Sequence, residues 1–167
     1  MRLVLPDIRY KDEYLRALEE GKDEVRHMLR RPSDQESFED FVTHLLGWAQ
    51  GLYLPEGWVP STELWLIDGN EYIGTVSIRH RLTEKLLRES GHSGYYIRPS
   101  KRKMGYGKKI LAMGLEKAKE LGLTKVLVTC DENNIGSRKV IEANRGVLED
   151  IVEVKNAPRK RRYWISL

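Results

Sequence analysis

A single cysteine, Cys130, is all that the 167 residues contain, so no disulfide framework staples the chain. Long apolar runs are missing too. Those present, such as Leu64-Trp65-Leu66-Ile67, are far too short to span a bilayer. Residues 1–6 (MRLVLP) lack the long apolar stretch of a signal peptide. No internal repeat and no low-complexity linker divides the sequence. These absences lead us to expect a cytoplasmic protein, with no membrane partner and no metal.

What is present suits one α/β domain over residues 1–167. Hydrophobic residues make up 40% and charged residues 32%, the balance of a globular chain rather than a disordered one. The length is enough for one sizeable core. The net charge is +4 and the pI about 9.1, which favours an anionic partner. Nucleic acid and a phosphate-bearing cofactor are the two candidates, and the placement of the charge must decide between them.

Local patterns give the order of elements. Residues 2–6 read as a short strand closed by Pro6, and 10–30 as one or two helices interrupted near Gly21. Residues 31–51 hold a clearer helix, with Ser33 or Asp34 as its cap and Phe38, Phe41, Val42, Leu45 and Leu46 on one face. The loop 51–61 leads to two β-rich runs around Asp68-Gly69-Asn70, a strong hairpin signal. A short helical insert, 82–90, precedes a strand at 92–98 stopped by Pro99. A helix over 105–121 stops at Gly122. The compact apolar strand 125–130, a helix from Asn134 to Asn144, and strands at 146–154 and 160–167 complete the chain.

The junction RKMGYG, residues 102–107, is the most informative stretch. Strand, glycines, helix is the layout of an anion site, because the first N–H groups of a helix have no internal partner. Glycine lets a phosphate approach the backbone. Arg102, Lys103, Lys108 and Lys109 surround it with positive charge. A dinucleotide fingerprint is excluded, because Ile110 stands where its third glycine belongs. A P-loop is excluded by Arg102 in place of its first glycine and Lys109 in place of Ser or Thr.

What remains, Arg102-x-x-Gly105-x-Gly107 shortly after Ile97 and Pro99, resembles the acetyl-CoA loop of the GNAT superfamily of N-acetyltransferases, Q/R-x-x-G-x-G/A. A second motif of that family, asparagine and then a small residue three positions on at a helix start, is matched by Asn134 and Ser137 behind KVLVTCDEN. The motifs cover about 95–147, and the order of elements extends the resemblance over the chain. The resemblance implies a mixed central sheet of about seven strands with helices on both faces, splayed around acetyl-CoA between strands 92–98 and 125–130. It implies that Tyr96, Ile97 and Arg98 pair with the pantetheine, and that an N–H near Ile97 polarises the thioester carbonyl. The amides of Lys103, Met104, Gly105, Tyr106, Gly107 and Lys108, beside Arg102, would hold the pyrophosphate. Asn134, with Ser137, would hold the pantetheine arm. An amine acceptor would attack directly, with no covalent enzyme intermediate.

Two departures stand out. Many members carry a tyrosine acid seven residues after the motif asparagine, and here that position is Ile141. Many carry a glutamate on the preceding strand, and here it reads Val126-Leu127-Val128-Thr129-Cys130. His92, whose unperturbed pKa near 6.5 suits a base, is the candidate for deprotonating the amine, with His80 as an alternative. Tyr163 is the candidate acid. Each also has a plain reading, as a loop histidine or a core tyrosine, and Cys130 as a small hydrophobe. On the acceptor side, the aromatics Tyr53 and Trp58 on the 51–60 loop line a pocket or form a minor core. The basic collar of Arg79, His80, Arg81 and Arg88, and the run Arg159-Lys160-Arg161-Arg162, read as solvated, the latter as a turn before the last strand. Two further classes compete with the enzyme: a non-catalytic acetyl-CoA-binding module and a basic nucleic-acid-binding protein. A homodimer is common in the family.

Overall fold

The computed structural model describes residues 1–24 and 29–167, and the part of the 10–30 helical region at 25–28 lies outside them. Seven strands form one sheet in the order β1-β2-β3-β4-β5-β7-β6. They are β1 (Arg2–Val4), β2 (Ser61–Asp68), β3 (Glu71–Arg79), β4 (Ser93–Ile97), β5 (Lys125–Asp131), β6 (Val147–Val154) and β7 (Ala157–Ser166). The helices are α1 (Lys11–Glu20), α2 (Phe38–Gly47), α3 (Glu84–Glu89), α4 (Tyr106–Glu120) and α5 (Ile135–Ala143). Every neighbouring pair is antiparallel except β4 with β5. The expected mixed seven-stranded α/β sheet is therefore the observed one.

The alternation of β2 sorts the two cores. Leu64 and Leu66 face Ile110, Leu111 and Leu115 of α4. Trp65 and Ile67 face the other way, toward Tyr14 of α1 and Phe38, Phe41 and Val42 of α2. Tyr14 stacks on Trp65 at 4.6 Å between ring centroids and meets Tyr72 edge-on at 5.0 Å. A register shift between β2 and β3 falls opposite Gly74. A Cβ there would lie 2.1 Å from the Tyr96 carbonyl oxygen, so the bulge needs glycine to let β4 approach.

Two sequence expectations change. The cap of α2 is Ser37, whose hydroxyl accepts from the Asp40 N–H at 3.0 Å; Ser33 and Glu36 form a separate turn upstream. The run 159–162 is not a solvated turn but the middle of β7. Arg159 pairs with Glu132 at 2.7 Å, Lys160 with Asp131, and Arg162 with Asp150 at 2.6 Å. Strand alternation sends these cations to acids on both sides, so the densest positive run of the sequence is neutralised within the protein. That removes the strongest feature of the nucleic-acid reading.

The insert α3 also finds its place. Thr83 caps it, the Leu87 carbonyl accepts from Arg162 at 3.0 Å and the Glu89 carbonyl from Thr129 at 3.2 Å. It therefore covers β5 and β7 on the face that α1 and α2 cover over β1–β3. Between these two roofs the sheet is partly open.

Candidate active site

β4 and β5 share one parallel pair, Ser93 with Val128, and then part. At the closed end His92 holds both backbone groups of Leu127. Its N–H donates to the Leu127 carbonyl at 2.7 Å, and its Nδ1 accepts the Leu127 N–H at 3.0 Å. Gly91 makes this approach possible: its φ is +70°, and a Cβ would sit 2.3 Å from the Leu127 carbonyl oxygen. Gly91→Ala is accordingly expected to cost about 3 kcal/mol, as strain plus overlap with a backbone atom, measurable by urea unfolding.

Beyond Ser93 the pairing pattern decides which backbone groups face the gap. Arg98 N–H donates to the Ile73 carbonyl at 3.0 Å, and Arg79 N–H to the His92 carbonyl at 2.8 Å. With the register fixed between them, the even-numbered residues of β4 bond to β3. The N–H and C=O groups of Tyr95 and Ile97 point into the gap. The expected stretch 96–98 is thus corrected. Tyr96 and Arg98 turn their backbones toward β3, and Tyr95, absent from the expected set, takes a place beside Ile97. The Ile97 carbonyl already accepts from Arg102 Nε at 3.0 Å, so its N–H and both groups of Tyr95 are the ones left facing the gap. The Arg98 side chain is committed as well, to Glu13 and Tyr72 carbonyl at 3.0 Å each and to Glu20.

The RKMGYG junction forms the floor of the gap. Lys103 and Gly105 both have left-handed backbones, with φ of +61° and +85°, and Gly105 caps α4 with no side chain of its own. The orphan amides at the start of α4 point outward, and Met104 is exposed above them. The two glycines do different work. Gly105 serves the left-handed turn, since nothing lies within 4 Å of its missing Cβ. At Gly107 a Cβ would lie 3.0 Å from Val140 Cγ2, so that glycine lets α5 pack against α4. Tyr106 turns away to donate to Asp68 at 2.8 Å, and the Lys108 carbonyl accepts from Asn144 at 3.2 Å. Asn134 caps α5 through its Oδ1, which accepts the Ser137 N–H at 2.9 Å. Its amide nitrogen donates to no described residue.

The two candidates for proton transfer lie on opposite faces of the sheet. Tyr163 of β7 is buried toward α5, directly opposite Val128 of β5, with its hydroxyl 3.3 Å from Glu142 Oε1. Burial, then the nearby Glu142, push its pKa up. Cys130 and Tyr95 share that face; burial pushes the cysteine thiol up to about 11 and the Tyr95 hydroxyl up to about 12. His92 faces the other way, beside Trp164. A backbone N–H can only donate, so Nδ1 is the acceptor and Nε2 carries the hydrogen. Burial, Arg79 and Lys125 all hold its pKa down, in that order. His92 has therefore already spent its basic nitrogen on closing the two strands. His80 is half-buried, paired with Thr62 at 2.8 Å.

A family model described as an acetyltransferase (GNAT) domain matches residues 2–146. The chain belongs to the GNAT acetyltransferase family. No curated protein matches the sequence. Among solved structures, RimJ from Mycobacterium smegmatis, in complex with a CoA-disulfide, superposes with a TM-score of 0.72 at 18% identity, over 98% of this chain and 80% of that one. The self-immunity acetyltransferase MccE, in complex with acetyl-CoA and AMP, gives 0.71 at 15% identity, over 99% and 91%. A variant of the spermidine N-acetyltransferase SpeG from Vibrio cholerae gives 0.66 at 16% identity, over 99% and 95%. At these identities the structures share the GNAT fold with this chain.

On the face of this GNAT sheet that α1 and α2 cover lies a group that sequence reasoning missed. Glu63 of β2 is directly opposite Ser77 of β3, which is opposite Gly94 of β4, so the three share one face. Glu63 is 4% exposed, whereas Ser77 and Gly94 are half-buried. A hydroxymethyl group and a bare glycine thus leave a trough from Glu63 to the gap, across two strand spacings or about 10 Å. Glu63 Oε1 accepts from Thr75 at 2.6 Å; among the described residues Oε2 has only Arg30 Nε, at 4.0 Å. Burial raises its pKa, against the opposing effects of Arg30 and Thr75. In sequence, STELWL offers no sign of this, because the burial comes from strands and helices far along the chain.

Proposed function

We propose that this domain is an acetyl-CoA-dependent N-acetyltransferase that moves an acetyl group to an amine by direct attack. The observation that carries the reading is the gap between β4 and β5, with unpaired backbone groups of Tyr95 and Ile97 along one edge and the bare amides of α4 at its floor. Those amides, over 103–108, suit a pyrophosphate, with Arg102, Lys103 and Lys108 supplying charge. The N–H and C=O of Tyr95 and the N–H of Ile97 suit the amide groups of a pantetheine arm, and the Asn134 amide nitrogen can donate to it. Bound acetyl-CoA supplies the activated acetyl thioester. The residues do the rest. An N–H in the gap polarises the carbonyl. Glu63, at the far end of the trough, takes the proton of the acceptor ammonium through a chain of waters along it. Tyr163 is the acid for the departing thiolate. We give His92 a structural task rather than the base role, since its lone pair is engaged by Leu127.

Calorimetric titration with acetyl-CoA tests this reading. Binding is expected to survive competitor RNA, and Gly105→Glu is expected to abolish it by placing an anion at the amide cradle. Gly105→Ala separates charge from backbone strain: it carries the same left-handed penalty, of about 1 kcal/mol, without the anion, and should keep most of the affinity. Equal binding by the parent and the glutamate variant would overturn the assignment.

A second reading follows from Ile141, which is wholly buried where many members hold their acid. It is an acetyl-CoA-binding module without transfer. Thiol release across a panel of amines decides: acceptor-dependent release shows the enzyme, and binding with no release shows the module.

A further inference from the structure

Beside Arg30, whose Nε is 4.0 Å from Glu63, is a cavity of about 600 Å³, a size that takes a small molecule. It lies under α2 and the 51–60 loop, and Arg30 forms part of its wall. The guanidinium of Arg30 packs over two indoles that also meet each other, 4.2 Å from the ring centroid of Trp48 and 4.6 Å from that of Trp58, with the two rings 5.6 Å apart. Each support is fixed in turn. Trp48 Nε1 donates to the Tyr53 carbonyl at 3.1 Å, and the Arg30 carbonyl accepts from the buried Tyr14 hydroxyl at 2.8 Å. Held this way, the guanidinium has lost its freedom before any ligand arrives. No described residue accepts a hydrogen bond from it, and its one acidic neighbour is Glu63 at 4.0 Å.

Cations outnumber acids in the remaining lining. Arg31 adds one cation and Lys22 another, the latter paired with Glu19 at 2.7 Å; the acid, Glu36, is bound to His44 at 2.6 Å. A polyamine would meet Arg30 and Arg31 here. A planar anion would meet a fork of donors backed by two indoles, and arginine binds carboxylate from such a fork through two parallel bonds.

We infer that the cavity receives the acceptor and that Arg30 binds a carboxylate on it, so that the substrate is an amine that also carries a carboxylate. The inference rests on the acetyltransferase reading. Glu63 and Arg30 then divide the acceptor: the ammonium lies in the trough whose proton path ends at Glu63, and the acceptor's own carboxylate goes to Arg30. The proton balance is simple. Glu63 takes one proton from the ammonium through the waters of the trough, the nitrogen forms its bond to the acetyl carbon as the C–S bond breaks, Tyr163 protonates the thiolate, and the second nitrogen proton restores Tyr163. A free amino acid and the acidic N-terminus of a peptide both present this chemistry.

The test uses the full chain with saturating acetyl-CoA and reads thiol release. The amines are glutamate and the dipeptide Glu-Phe, their uncharged amide counterparts, and spermidine. Carboxylate-bearing amines should exceed their amides by roughly 10- to 100-fold in kcat/KM, with spermidine at background. Preference for glutamate or for Glu-Phe distinguishes the free amino acid from the peptide. Arg30→Met should erase the preference by raising KM with kcat within about twofold, and Arg30→Lys should restore it only in part. Acetyl-CoA binding by each variant reports an intact fold. Equal turnover of the amides, turnover of spermidine, or an unchanged preference in Arg30→Met overturns the inference. So does an intact acetyl-CoA complex that acetylates none of the carboxylate-bearing amines, a result that leaves the cofactor reading standing. Loss of acetyl-CoA binding by the parent would instead remove the reading beneath it.

Discussion

Glu63→Gln is expected to lower turnover by about 100-fold or more while leaving the protein as stable as the parent or more so. The two effects have one cause. A carboxylate that is 4% exposed and has its nearest described cation 4.0 Å away is costly to keep charged. Glutamine retains the shape and can still accept from Thr75, and it carries no charge to bury. A residue kept for stability would give the opposite result on substitution. The pH dependence adds a second readout. Burial lifts the folded pKa of Glu63 above its ordinary 4.5. Between those two values the unfolded chain binds fewer protons than the folded one, so this group's contribution to stability falls as pH rises through that window. Glu63→Gln should remove that fall. In the rate profile the acidic limb, set by protonated Glu63, should disappear, and activity should recover partly at high pH, where the amine is already neutral. Urea melts across pH, together with a pH–rate profile on any accepted amine, check both halves. A variant that loses stability and keeps its rate profile removes Glu63 from the chemistry.

How much of this was legible in the sequence depended on whether the signal was local. The turn Asp68-Gly69-Asn70 joins β2 to β3 as read, and RKMGYG opens α4 as read, because turn and cap chemistry are settled by a few adjacent residues. Even there the reason for a glycine was only partly visible: Gly107 answers to Val140, on the next helix. Ser33, Asp34 and Ser37 are all good caps, and the choice of Ser37 is made where Phe38 and Phe41 pack. Which half of β4 faces the gap could not be read, since a strand's alternation says which residues share a face and not which neighbour they bond. The charges of 159–162 looked solvated because their acids, Asp131, Glu132 and Asp150, sit on other strands. Glu63 and Arg30 were missed for the same reason. Sequence shows one as a polar position in a strand and the other as one cation among many. Their burial and proximity follow from strands and helices separated along the chain.

Arg98→Ala is expected to destabilise the domain by about 3 kcal/mol, the largest loss from any single side chain discussed here. Its guanidinium reaches from the end of β4 across β3 to α1, donating to Glu13, to Glu20 and to the Tyr72 carbonyl. Removal leaves a buried carbonyl and two partly buried carboxylates without their cation. Arg98→Lys should recover little, because one ammonium cannot serve three acceptors set around a planar fork. The acid side separates this group from Glu63. Hydrogen bonding from Arg98 holds the Glu20 pKa below its ordinary 4.5, so its stabilising contribution is present above that value and is lost as pH falls toward the folded one. Arg98→Ala should abolish that acid sensitivity, whereas Glu63→Gln should abolish a slope of the opposite sign. The functional consequences should also part. The backbone of Arg98 faces β3 and its side chain never enters the gap, so at temperatures where the variant is folded acetyl-CoA should bind with near-parent affinity. The wall that α1 forms beside Arg30 loses its clamp, so the cost should fall on the acceptor, as a raised KM with kcat largely kept. Titration of acetyl-CoA alongside steady-state kinetics distinguishes the two, and a lost affinity for acetyl-CoA in a folded variant would return Arg98 to the cofactor side.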